Sequence, residues 1–136
     1  MKRPRIRMSG PIIDCADVPR LTLFYEELLG WKAKQIEGPG PGDPPEAGFT
    51  LLRSADASAE MEVQFDNNYV APTWPSVPGQ QGQQIHLDFE VENLEAGIAW
   101  AKHCGASEAA YQPADRNLDR LRVMIDPAGH PFCFFC

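Results

Sequence analysis

Residues Gln83 to Val91 alternate cleanly, with Leu87, Phe89 and Val91 on one side and His86, Asp88 and Glu90 on the other. In a strand, that spacing puts an imidazole and a carboxylate two residues apart on one face. The carboxylate could orient the ring or raise its basicity, which makes His86 a candidate general base. The plainer reading is a structural His–Asp hydrogen bond. Glu60, Glu62 and Gln64 share one face of another short apolar–polar run. If that face lines a cleft, the cleft is acidic; if it meets solvent, the three are an ordinary polar surface.

Four cysteines stand at Cys15, Cys104, Cys133 and Cys136. Cys133 and Cys136 match C-x-x-C, but residues three apart on a strand point to opposite faces and cannot grip one ion together. Trp74 lies in the proline-stiffened run Ala71-Pro72-Thr73-Trp74-Pro75. There it could cover a cleft and stack on a flat or cationic ligand, or else pack on a partner subunit or plug the loop. His103 falls near a helix C-terminus, where a cation is mildly favoured. His130 falls in a turn and reads as exposed and inert. No Ser-His-Asp order, phosphate-binding loop or dinucleotide glycine pattern is present.

These groups need elements to position them. Asp17 caps a helix whose apolar face carries Leu21, Phe24, Tyr25, Leu28 and Leu29, with Pro19 in its first turn and Gly30 at its end. Phe24, Tyr25 and Trp31 read as core. Strands are expected over 11–15, 31–36, 49–53 and 61–65. The dense Pro/Gly run 37–45 is a loop, and residues 66–82 form a second irregular stretch. The order then repeats: a strand over 83–91, a helix between Asn93 and Gly105, and strands near 107–112, 120–125 and 131–136. Asp126-Pro127-Ala128-Gly129-His130 is the tight turn between the last two. The expected fold is α+β, with two βαβββ modules (about 9–66 and 83–136, linker 67–82) in one domain. Each helix covers one sheet face, and the other sheet faces enclose a cleft.

The chain has 136 residues and a net charge of −7, with four of its twelve basic residues among the first seven. That sign argues against a broad nucleic-acid footprint, and an acidic body could attract a cationic ligand. No run approaches the roughly 18 apolar residues of a membrane span, and the basic start lacks the apolar stretch of a secretory signal. A cytoplasmic protein with free thiols is the expectation.

With these motifs the chain resembles the glyoxalase/bleomycin-resistance/dioxygenase superfamily, the vicinal oxygen chelate proteins. The resemblance rests on Asp14-Cys15-Ala16-Asp17 with Phe24 to Trp31, on His86 to Val91, and on Asp126 to Cys133. Pro72-Thr73-Trp74-Pro75 is similar to a glyoxalase-like subgroup. The resemblance implies a small-molecule ligand, a homodimer, and in metal-dependent members a ligand set drawn from the first and last strands of each half. Carried over residue by residue, the position seven before Asp17 is Gly10, which offers no ligand. The position seven before Asn93 is His86, which fits. Glu62 or Gln64 matches the third strand, and Cys133 stands where a carboxylate is usual. His86, Glu62 and Cys133 could together hold zinc, whereas nickel or iron sites of the common type lack two ligands.

The first functional expectation is therefore a small-molecule-binding protein without the regular metal set, sequestering a cationic or aromatic compound. Trp74, Glu62, Gln64, Asp88 and Cys133 would be its ligand-contacting residues. The alternative is a glyoxalase-like lyase or isomerase using His86 as metal ligand or general base. Fold alone does not choose between them.

Overall fold

The computed structural model describes all 136 residues. The first module runs β1 (Ile12–Cys15), α1 (Val18–Leu29), β2 (Lys32–Glu37), β3 (Phe49–Arg53) and β4 (Glu60–Phe65). The second runs β5 (Leu87–Glu90), α2 (Leu94–Cys104), β6 (Ser107–Glu108), β7 (Leu121–Ile125) and β8 (Pro131–Phe135). Each module forms a four-stranded mixed sheet with the same topology, β1-β4-β3-β2 in one and β5-β8-β7-β6 in the other. The first strand pairs in parallel with the last, and the remaining pairs are antiparallel. The two-module α+β reading holds.

Local chemistry sets the helices. The Asp17 side chain accepts from the Arg20 amide at 2.9 Å, and Gly30 leaves the helix at φ 66°. In the second module the Asn93 side chain accepts from the Ala96 amide at 2.9 Å, and Gly105 ends the helix at φ 115°. The inward faces of both helices and one face of each sheet make one apolar core of 16 buried residues spanning both modules. Leu21, Phe24 and Leu28 from α1 lie in it with Leu94 and Ile98 from α2 and Phe132 and Phe134 from β8. Trp100 on α2 donates its indole N–H to the Leu28 carbonyl at 3.3 Å, satisfying an acceptor left open at the end of α1.

Two strands are shorter than the alternation suggests. Gln83 to His86 lie outside β5, and the Gln83 side chain donates to the Pro131 carbonyl at 2.7 Å. The strand expected over 107–112 stops at Glu108 because a side chain replaces the ladder. Gln112 Nε2 donates to the Val123 carbonyl at 2.8 Å, and its Oε1 accepts from the Val123 amide at 2.9 Å. An amide side chain can satisfy both backbone groups that a neighbouring strand would otherwise pair.

Candidate functional site

β1 and β5 are the edge strands of their sheets, and a cavity of about 500 Å³ lies between them. Its wall includes Ile12, Ile13 and Asp14 from β1, Tyr25 from α1, and Asp66, Tyr69 and Val70 from the linker. Gln83, His86 and Leu87 line the other side, with His130 and Phe132 from the turn and strand that close the chain. Ile12, Val70 and Ile85 are exposed at 53%, 62% and 79% while lining it, so its mouth is apolar. The lining holds two carboxylates, Asp14 and Asp66, and neither Lys nor Arg.

Of the site residues expected from sequence, His86 lines this cavity. His86 Nε2 lies 3.2 Å from Asp88 Oδ1, with both side chains more than half exposed. Asp88 and Cys133 are paired in register, and the ligand atoms of His86, Asp88 and Cys133 lie within 4.8 Å of one another. Burial, helped by the Asp88 carboxylate, pushes the Cys133 thiol up to about 11. Glu62 stands apart from this cluster, on the sheet face it shares with Ile12 and Leu51. Gln64 donates to Asp14 at 2.9 Å, and Glu60 is paired with Arg53 at 2.6 Å. Trp74 lies outside the cavity wall. Its indole N–H donates to the Tyr111 carbonyl at 3.1 Å, and its ring meets Tyr111 edge-on at 6.1 Å.

Two positions that the resemblance assigns to the regular metal set, Gly10 and Cys133, carry other residues here. At Gly10, φ is 153° and an added Cβ would sit 2.3 Å from the Glu60 carbonyl oxygen. The position that would carry the first histidine is thus closed to any side chain unless the backbone shifts. Cys133 occupies the usual carboxylate position with its thiol held protonated.

The most ordered polar group beside the cavity escapes the sequence reading: Asp126 is not on the wall itself but holds Tyr25 and His130, which are. Asp126 is buried at 4% exposure and accepts four hydrogen bonds. The Ala128 and His130 amides donate to Oδ1 at 2.9 and 3.0 Å, and the Tyr25 hydroxyl donates to Oδ2 at 2.8 Å. His130 Nδ1 lies 2.8 Å from the same Oδ2. His130 Nε2 in turn lies 3.1 Å from the Tyr69 hydroxyl, which donates to the Ala128 carbonyl at 2.8 Å. The expectation that His130 is exposed and inert is therefore corrected: its side chain is 16% exposed and tied at both ring nitrogens. Burial, with Asp126 adding to it, raises both tyrosine hydroxyls above their ordinary range, so both are held protonated. One signal was available in sequence: a tyrosine on a buried helix face needs a hydrogen-bond partner. That partner lies 101 residues away.

The glyoxalase-like domain family matches residues 11–135. Among solved structures, the chain is similar to a glyoxalase family protein from Enterococcus faecalis, at 21% identity and TM-score 0.67, covering 96% of this chain and 97% of that one. It is similar to the fosfomycin resistance protein FosX of Listeria monocytogenes, in a complex with Mn(II) and a dihydroxypropylphosphonic acid. There the identity is 13% and the TM-score 0.68, covering 95% of this chain and 90% of that one. A protein described as a possible glyoxalase from Bacillus cereus aligns at 16% identity and TM-score 0.60, covering 97% of this chain and 100% of that one. No curated protein matches the chain. Such identities carry the fold alone; the family match over nearly the whole length carries more, and by it this chain belongs to the glyoxalase-like domain family of the vicinal oxygen chelate superfamily.

Proposed function

We propose that this chain binds a small organic molecule with an apolar or aromatic body and a cationic head. The supporting observation is the cavity wall, which combines Asp14 and Asp66 with exposed Ile12, Val70 and Ile85 and holds neither lysine nor arginine. Covering about 100 Å² of that apolar rim contributes about 2.5 kcal/mol. An ammonium at about 4 Å from one carboxylate gains a comparable sum at an effective dielectric near 20, before desolvation is subtracted. Body and head therefore both matter. A phosphonate of the kind in the FosX complex would meet two carboxylates here, with no lysine or arginine to offset them. Trp74, paired with Tyr111, is not the expected reporter of binding.

The test compares benzyltrimethylammonium with benzenesulfonate, two probes of similar size and opposite charge, by calorimetry and NMR. The cation is expected to bind at least about tenfold more tightly, with the preference reduced in Asp14→Asn/Asp66→Asn. Equal or tighter binding of the sulfonate would overturn the reading. The proposal includes a homodimer, as the resemblance implies, to be checked by light scattering against twice the chain mass of 15.1 kDa. It also includes a reducing, cytoplasmic setting, which suits four unpaired cysteines. No helix is long and apolar enough to cross a membrane.

A second reading rests on the convergence of His86, Asp88 and Cys133. A nitrogen, an oxygen and a sulfur donor suit zinc, and His86 also lines the cavity where a substrate would sit. In this reading Asp88 takes the place expected of Glu62, and zinc would polarise a bound oxygen of a lyase or isomerase substrate. Zinc titration separates the two readings. One tightly held ion per chain, lost in His86→Ala, supports the enzyme; no retention supports binding without metal.

A further inference from the structure

The turn at residues 126–130 and the linker before it are built against each other. Gly129 has φ 97°, and a Cβ there would lie 2.8 Å from Ala71 Cβ. Without that side chain the linker can lie on the turn, which brings Tyr69 to His130. Asp126 is filled on both oxygens, so its hydrogen bond to His130 takes the Nδ1 proton. In the neutral ring this leaves Nε2 as an acceptor. Tyr69 has one proton and two acceptors in reach, the Ala128 carbonyl at 2.8 Å and His130 Nε2 at 3.1 Å. Whichever it serves, the other lacks a donor. A second observation points the same way. Gln83, also on the cavity wall, donates Nε2 to the Pro131 carbonyl, while its Oε1 is buried with no hydrogen-bond partner. Two acceptors at this part of the wall thus lack a donor, and buried acceptors without donors are costly.

We propose that Tyr69, His130 and Gln83 form an acceptor-rich recognition point for an N–H or O–H donor on the bound molecule, with Asp126 as the positioning residue that orients His130. The proposal rests on the ligand-binding reading of the cavity and deepens it. The head group is then an ammonium, amidine, amide or hydroxyl that donates hydrogen bonds, and a permanently quaternary cation is a poorer fit. The groups around His130 are Asp126 in its own turn, Tyr25 from α1 through Asp126, and Tyr69 from the linker. Asp14, Asp66 and His86 line the same cavity.

The test follows the ring nitrogens of ¹⁵N-histidine-labelled protein at about pH 8, with benzylammonium, benzyltrimethylammonium and benzyl alcohol as probes. Benzylammonium and benzyl alcohol are expected to shift His130 Nε2. Benzylammonium is expected to bind about tenfold more tightly than its trimethyl analogue, and without that preference in His130→Asn. If both cations bind equally and move His86 alone, the recognition point is wrong and the cationic cavity stands. If benzyl alcohol alone binds, through His130, the recognition point stands and the cationic preference is wrong. If no probe moves a cavity resonance, both are overturned. A free-protein tautomer with the proton on Nε2 overturns the recognition point whatever the probes do, and it needs no variant to fold.

Discussion

His86 and His130 line one cavity and are held in opposite ways. His86 projects just before β5, more than half exposed, with one exposed carboxylate at 3.2 Å. His130 is 16% exposed, with a buried carboxylate on one ring nitrogen and a tyrosine hydroxyl on the other. Strand alternation delivers a side chain to a face and little more. A turn locked by long-range hydrogen bonds delivers it in a chosen orientation. The two histidines therefore divide between a loosely placed group, free to move toward a ligand or ion, and a preorganised one.

The largest effect that can break this comparison is at Asp126. Asp126→Ala leaves the buried Tyr25 hydroxyl, the His130 ring and two amides without their acceptor. The expected loss is about 3–5 kcal/mol, seen as a fall of about 10–20 °C in melting temperature. A variant within about 1 kcal/mol of the parent would mean that the network is decorative.

Next in size is Gly10. Gly10→Ala places a Cβ against the Glu60 carbonyl and is expected to cost about 1–3 kcal/mol. Gly10→His should be at least as unstable and should not gain zinc binding. A stable Gly10→His protein that retains zinc would show that the regular metal set is one substitution away, and that the strand edge yields more readily than its contacts imply.

The legibility of the fold and of the site differ for a physical reason. The caps Asp17, Asn93, Gly30 and Gly105 act within a few residues, so both helices can be read from sequence to within a residue of their ends. The pairing of His86 with Asp88 is local as well and follows from a period of two. What failed was long-range. Gln112 replacing a strand beside Val123, Trp74 pairing with Tyr111 and Tyr25 reaching Asp126 depend on residues from 11 to 101 positions apart. Glu62 and Gln64 were correctly placed on one face, but no local rule could say that Gln64 would turn to Asp14 while Asp88 joined His86 and Cys133.

Cys133 sharpens the comparison from the His86 side. With its thiol pushed up to about 11, first by burial and then by Asp88, little thiolate exists near neutrality. Iodoacetamide labelling at Cys133, followed by mass spectrometry, should be slow near pH 8 and accelerate toward about 11. Asp88→Asn removes a negative charge beside the sulfur and should shift that rise to lower pH. A fast reaction at neutral pH in the metal-free protein would mean that a cation-like environment is already built around the sulfur, which favours the zinc reading.

The smallest effect is expected for the folding free energy of Asp88→Asn. The His86–Asp88 contact is between two side chains more than half in solvent, where ion pairs contribute little and salt screens them. Chemical denaturation should place this variant within about 0.5 kcal/mol of the parent, against the several expected at Asp126. Its consequence should instead be functional: if His86, Asp88 and Cys133 hold zinc, Asp88→Asn releases it without unfolding the chain. A stability loss as large as that of Asp126→Ala would erase the contrast between the two histidines. It would mean that the exposed cluster is part of the scaffold, and that His86 is not free to swing toward anything in the cavity.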